Sequence, residues 1–192
     1  GSGSPQAILL DESPEVSFAP TSYSPDGSGI IATKNVGGKS DMLFVPISAT
    51  GDASTPQVLR ATPSNESDGR FSPDGRLVAF SSDESGKTEA YVAAYGANGT
   101  LGPATMVSNG GGRQPAWAND GRRLFFYNEP GKVMSVDISV TPNPAASVPI
   151  VAYDLKTLRV TATEWDILPD GRLLVIQKGE GEDDITVFNV VL

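Results

Sequence analysis

Histidine and cysteine are both absent from the 192 residues of this sequence. The missing cysteine excludes disulfides and thiolate metal sites, although it leaves the cellular compartment open because oxidising compartments also hold cysteine-free proteins. The missing histidine removes the commonest general base and the commonest metal ligand. Catalysis by a Ser-His-Asp or a Cys-His arrangement is therefore excluded.

Basic side chains and long apolar runs are also scarce. The 14 Lys and Arg residues stand against 23 Asp and Glu, which gives a formal net charge of -9. No basic patch could replace the counterions of a phosphate backbone, so we expect no nucleic-acid partner. Apolar runs such as residues 173–176 are far too short to span a bilayer, so we expect no membrane insertion. Residues 1–4 look like a cloning remnant, and we expect a single domain over residues 5–192.

Glycine and proline are abundant instead. The 21 glycines and 15 prolines are scattered between short apolar runs, which is typical of an all-β protein rich in tight turns. A turn ending in Asp-Gly recurs with its glycines 48, 46 and 50 residues apart, and glycine accepts the positive φ that such a turn requires. The turns are residues 24–27, 72–75, 118–121 and 168–171. The pattern predicts four hairpins in four repeats.

The flanks of the turn repeat as well. A large apolar residue stands four positions before each glycine: Tyr23, Phe71, Trp117 and Ile167. An apolar triplet follows each turn: residues 30–32, 78–80, 124–126 and 174–176. Third strands are expected at residues 41–45, 89–93, 132–136 and 184–188, and fourth strands at 57–60, 104–107 and 148–151.

The last repeat lacks a fourth strand, whereas residues 7–10 precede the first repeat as a spare apolar segment. Repeats of about 40–50 residues that form four strands are typical of β-propeller blades. The sequence therefore predicts an all-β propeller of four four-stranded antiparallel blades, in which strand 7–10 completes blade four.

These repeats resemble those of the TolB-like propellers. Residues 71–80, Phe-Ser-Pro-Asp-Gly-Arg-Leu-Val-Ala-Phe, are close to that family's Ser-Pro-Asp-Gly turn and the strand after it. More narrowly, the order of segments resembles the carboxy-terminal sensor propellers of some bacterial Ser/Thr kinases. The segments are residues 41–45, 81–86 with 89–92, 114–117 and 185–187. The resemblance implies a binding or sensing appendage, an extracytoplasmic or periplasmic location, and usually six blades rather than four.

Several acidic residues are candidate metal ligands because carboxylates suit calcium. The turn aspartates Asp26, Asp74, Asp120 and Asp170 lie in different blades, so we interpret them as hairpin residues. We interpret the acidic cluster at residues 180–184 as a solvated hairpin tip, with metal binding there left open. Residues 85–88 resemble the end of a phosphate-binding loop but lack its earlier glycine, which predicts a plain turn. We therefore expect no catalytic, cofactor-binding or metal-binding residues.

The two tryptophans are candidate ligand platforms. Trp117 occupies the repeat's apolar position and is expected in the core, whereas Trp165 is left open between core and ligand platform. The segments that vary most between repeats, and in which we expect recognition loops, are residues 34–41, 95–104 and 139–147.

The motif inventory favours a non-enzymatic binding or scaffold module that recognises a protein or peptide partner through propeller loops, without a cofactor. Two alternatives stay open: an isolated or engineered propeller fragment with no activity of its own, and a carboxylate-based glycoside hydrolase. If neighbouring blades meet at the angle that closes a six-bladed ring, four blades form an open arc, and the outer faces of its two end blades are exposed to water. We therefore expect a homodimer that forms an eight-bladed ring, with a closed four-bladed ring as the alternative.

Overall fold

A computed structural model describes residues 13–48, 55–128, 130–140, 143–158, 162–177 and 187–191. All regular structure in these ranges is β-strand, arranged as consecutive antiparallel sheets. No helix in the described part of the chain is long and apolar enough to cross a membrane.

Each sheet is one blade built from consecutive strands. Blade one contains β1 (Val16–Tyr23), β2 (Gly29–Val36), β3 (Lys39–Pro46) and β4 (Gln57–Arg60). Blade two contains β5 (Glu66–Phe71), β6 (Leu77–Ser82), β7 (Glu89–Tyr95) and β8 (Leu101–Met106). Blade three contains β9 (Arg113–Trp117), β10 (Arg123–Asn128) and β11 (Lys132–Ser139), with β12 (Ala145–Ala146) and β13 (Ile150–Asp154) both paired to β11. Blade four contains β14 (Ala162–Ile167), β15 (Leu173–Gln177) and β16 (Val187–Val191).

The predicted all-β architecture of four antiparallel blades is confirmed. Several local assignments differ from the prediction. In blade four the described strand Val187–Val191 overlaps the predicted third strand, 184–188, at residues 187 and 188. The fourth strand of blade two begins at Leu101, that of blade three is Ile150–Asp154, and residues 34–41 are a hairpin and not a recognition loop. In that hairpin Val36 pairs with Lys39, so only two glycines form the turn. Residues 7–10 and 180–184 lie outside the described residues.

The four Asp-Gly turns share one hydrogen-bond pattern. The N–H of each turn glycine donates to the carbonyl three residues earlier at 2.8–2.9 Å, and each glycine has a positive φ of 66–87°. The aspartate Oδ1 accepts the backbone N–H two residues later at 2.9–3.1 Å. Asp and Gly are needed there because one supplies this acceptor and the other adopts the left-handed backbone. The hairpin interpretation of the four aspartates accordingly matches the structure.

The hydrophobic core lies between neighbouring blades. Side chains alternate across a strand, so a blade packed on both faces buries both sets. In β6, Val78 and Phe80 pack with residues of blade one, whereas Leu77 and Ala79 pack with residues of blade three. A third cluster joins blades three and four, with Phe125 and Trp165 among its buried members.

A candidate functional site in the central channel

The first strands of the four blades, β1, β5, β9 and β14, line a common space that we call the central channel. Two cavities occupy it. The turn-side cavity, of about 310 Å³, is lined by residues that include Ser22, Tyr23, Arg70, Trp117 and Asp166. The bulge-side cavity, of about 280 Å³, is lined by residues that include Thr21, Asp68, Arg70, Gln114 and Trp165. Arg70 borders both cavities, so the two adjoin at its side chain.

Arg70 and Asp166 form an ion pair in this channel. Arg70 Nη1 and Asp166 Oδ2 are 3.8 Å apart, and their side chains are 40% and 50% exposed, so both can reach a ligand. Each residue stands five positions before the glycine of its blade's turn, a position that is Ser22 in blade one and Ala116 in blade three. Sequence reasoning missed the pair, but the change of charge at this repeat position was a signal that could have found it.

The backbone around Arg70 is fixed by hydrogen bonds from two neighbouring blades. From blade one, Thr21 Oγ1 donates to the carbonyl oxygen of Gly69 at 2.7 Å, and Ser22 Oγ accepts the N–H of Phe71 at 3.1 Å. From blade three, Trp117 Nε1 donates to the carbonyl oxygen of Arg70 at 3.1 Å. Three consecutive residues of β5 are thus held in place, which positions the guanidinium at the junction of the cavities.

Each of the strands that line the channel is irregular in its pairing ahead of its turn. The pairing of each first strand with the second strand of its blade shifts in register, as a β-bulge does. At this bulge Asp68 and Gln114, each seven residues before its turn glycine, have positive φ values of 57° and 51°. Non-glycine residues rarely adopt this conformation, and it is typical of functional sites.

The two tryptophans occupy different cavities. Trp117, expected in the core, packs against the cluster between blades two and three and also lines the turn-side cavity. Trp165 is only 8% exposed, packs between blades three and four, and lines the bulge-side cavity. Its Nε1 is buried and has no hydrogen-bond partner among the described residues.

The other candidates from the sequence, the four turn aspartates and residues 85–88, are not among the residues that line the two cavities. The backbone N–H of Ser28 is the main cause that lowers the pKa of Asp26, and the Arg172 guanidinium does the same for the pKa of Asp170. Within the described ranges, no three acidic side chains gather into a group that could hold a metal ion. The Gly86 N–H donates to the carbonyl oxygen of Asp83 at 2.9 Å, which makes residues 85–88 part of a turn.

Comparison with solved structures defines the class of fold. The chain superposes on TolB from Acinetobacter baumannii with a TM-score of 0.59 and 16% identity, covering 86% of this chain and 39% of that protein. The chain therefore has a TolB-like β-propeller fold. No protein-family model and no curated protein sequence matches it.

Two further solved structures of the same fold are named as enzymes. A puromycin-hydrolyzing peptidase from Mycobacterium tuberculosis matches with a TM-score of 0.58 and 20% identity over 92% of this chain and 30% of the peptidase. A periplasmic gluconolactonase from Pseudomonas aeruginosa matches with a TM-score of 0.55 and 18% identity over 88% of this chain and 55% of the lactonase. The chain thus spans between about a third and about half of the length of these proteins.

These enzymes overturn the prediction of a non-enzymatic binding or scaffold module. That prediction took the missing histidine and cysteine as a sign that catalysis was absent. The residue inventory excludes only the mechanisms that need those side chains, whereas proteins that share this fold include a peptidase and a lactonase. The statement that the chain is not an enzyme is corrected on the same ground.

Proposed function

We propose that the central channel is the substrate site of a small-molecule hydrolase that acts on neutral hydroxylated lactones or related esters. The observation that carries this proposal is the partly exposed Arg70–Asp166 pair at 3.8 Å inside a channel lined by all four blades. The gluconolactonase of the same fold supports the substrate class.

The pair supplies the two groups that ester hydrolysis needs without histidine. The Asp166 carboxylate takes a proton from water as the water oxygen attacks the acyl carbon. The acyl oxygen gains negative charge, which the Arg70 guanidinium stabilises. When the intermediate collapses, the acyl C–O bond breaks and the proton passes from Asp166 to the departing alkoxide oxygen. A lactone gives a single hydroxy acid, whereas an ester gives an alcohol and a carboxylic acid. In both cases the acid loses its proton to solvent.

The charge of the channel favours a neutral substrate. Among the described residues that line the two cavities, Arg70 is the only cation, whereas Asp68 and Asp166 are both acidic. The chain as a whole carries a formal charge of -9. Such a field repels anions but not neutral molecules. It therefore admits a neutral lactone and favours release of the carboxylate product.

The proposal is tested by hydrolysis of glucono-1,5-lactone and of an aryl acetate, with the spontaneous rate subtracted. Asp166→Asn should lower kcat at least about 100-fold because the base is lost, and Arg70→Gln should also lower kcat. Asp137→Asn is the matched control, since Asp137 pairs with Arg123 at 3.1 Å on the exposed face of blade three. A wild-type rate no faster than the spontaneous one, or equal rates for Asp166→Asn and the wild type, would refute the proposal.

We also propose the assembly that the sequence suggests. The described hydrophobic clusters join blade one to two, two to three, and three to four. The proposal is a single propeller domain over residues 5–192, in which strand 7–10 completes blade four within a homodimer. Light scattering should give twice the protomer mass of 20.0 kDa. A concentration-independent mass equal to one protomer would exclude the dimer.

The narrower family context is a proposal too. The order of segments shared with the kinase sensor propellers supports a chain in which this propeller follows a kinase domain. The sequence of the encoding gene tests this directly. A kinase domain upstream would support it, and a reading frame without one would refute it.

A further inference from the structure

Two residues that line the bulge-side cavity have a strained backbone, and neither has a role in the proposed hydrolysis. They are Asp68 and Gln114, which both hold a positive φ although neither is glycine. Asp68 Oδ2 fixes this arrangement across the blades, because it accepts a hydrogen bond from Ser81 Oγ at 2.8 Å and one from the Gln114 N–H at 3.4 Å. Strain of this kind persists where the surrounding structure enforces it, and it is concentrated at ligand sites.

The same cavity presents an acceptor that the described contacts leave available. The hydrogen bonds that Asp68 accepts from described residues all end on Oδ2, so Oδ1 receives none of them. Because Asp68 lines the cavity, Oδ1 is an oxygen to which a ligand hydroxyl can donate.

We propose that the bulge-side cavity is a binding subsite for a neutral pyranose-type ring, the hydroxylated part of the substrate that reacts at Arg70 and Asp166. A ring hydroxyl both donates and accepts, so it can donate to Asp68 Oδ1 and accept from neighbouring donors, whereas a carboxylate in the same place can only accept. The cavity is close in size to the smallest small-molecule sites, which begin at about 300 Å³. The link to the reaction rests on the proposed hydrolysis, but binding of the ring does not.

The experiment measures the binding of glucose and of glucuronate. The two rings differ in one substituent, which is a hydroxymethyl group in glucose and a carboxylate in glucuronate. Trp117→Phe protein leaves Trp165 as the only tryptophan, so its fluorescence reports the bulge-side cavity, and calorimetry on the wild type gives an independent value. Glucose should bind, and glucuronate should bind at least tenfold more weakly because Asp68 repels it.

Two variants separate recognition from folding. Asp68→Asn keeps an acceptor oxygen, and asparagine tolerates positive φ, so the fold should be retained. It should weaken glucose binding at least fivefold and bring the glucose-to-glucuronate ratio towards one. Gln114→Gly fits the positive φ and should also weaken glucose binding. Asp120→Asn, a carboxylate in an exposed turn, is the matched control and should leave both affinities unchanged.

The inference is overturned if glucose does not bind, if glucuronate binds as well as glucose, or if Asp68→Asn leaves the ratio unchanged. Its failure is distinct from that of the proposed hydrolysis. Glucose binding that depends on Asp68 without lactone turnover would sustain the subsite and refute the hydrolase. Turnover that depends on Asp166, with glucose binding indifferent to Asp68, would do the opposite.

Discussion

The indole Nε1 of Trp117 donates a hydrogen bond to the carbonyl oxygen of Arg70, 3.1 Å away, and so ties β9 of blade three to β5 of blade two. Trp117→Phe removes this bond and keeps an aromatic ring. We expect the free energy of unfolding to fall by about 1 kcal/mol, measured by urea denaturation. Tyr23→Phe is the control, because Tyr23 stands at the equivalent position and, among the described residues, its hydroxyl hydrogen-bonds only within its own turn, to the Gly27 carbonyl oxygen. Equal effects of the two variants would contradict the expectation.

Gly69 of blade two lies against side chains of blade one with no room for a Cβ. A Cβ at this position would lie 2.7 Å from Ile31 Cγ2 and 2.9 Å from Met42 Sδ. Gly69→Ala should therefore lower the free energy of unfolding by about 1–3 kcal/mol through overpacking. Gly102→Ala is a matched control, because its new Cβ would lie at an ordinary 3.7 Å from the Ala94 carbonyl oxygen. Thermal melting that places both alanine variants at the same Tm would show that the approach is not tight.

The positive φ of Gln114 reverses the usual preference of a strand for alanine over glycine. Alanine keeps the unfavourable backbone conformation, whereas glycine relieves it. We expect Gln114→Gly to be more stable than Gln114→Ala by about 1 kcal/mol or more. Chemical denaturation of the two variants gives this difference directly. If the alanine variant is the more stable of the two, residue 114 does not hold the left-handed conformation in solution.

The stability of the fold should depend on pH through the carboxyl group of Asp74. Burial raises its pKa, but hydrogen bonds from Ser72 Oγ, the Arg76 N–H and the Arg76 guanidinium outweigh this, and the pKa lies below the ordinary 3.8. A lowered folded-state pKa contributes stability above the unfolded value, and this contribution is lost as the pH falls through the folded value. The Tm difference between the wild type and Asp74→Asn should be full at neutral pH and shrink below about pH 4. A difference that stays constant from pH 7 to pH 2.5 would count against this carboxylate.

The repeats were predictable because their determinants are local. An Asp-Gly pair needs only its own turn to adopt the positive φ and the side-chain bond that the structure shows, so the four hairpins follow from the sequence. The continuous apolar run of residues 77–80 likewise gives β6 apolar side chains on both faces, and both faces are buried in the structure. The predicted third strand of blade four, residues 184–188, overlaps the described strand Val187–Val191 at residues 187 and 188.

The channel was harder to predict because its groups meet only after the blades are packed. Arg70 and Asp166 belong to different repeats, and nothing near either residue indicates the other. The positive φ of Asp68 depends on a register shift against β6 and on the Gln114 N–H from the next blade. Aligning the repeats by their turn glycines does bring these positions together, so the information lay in the comparison of repeats and not in any single motif.

The bonds that join the inner strands differ from one junction to the next. At the first junction a threonine of blade one reaches forward to Gly69, whereas at the second an indole of blade three reaches back to Arg70. Identical repeats could exchange places, but these repeats cannot. A copy of blade one in the place of blade three would present Tyr23 where Trp117 stands, and the indole hydrogen bond to the Arg70 carbonyl oxygen at the second junction would be lost. The order of the blades has therefore become part of the information that the sequence carries.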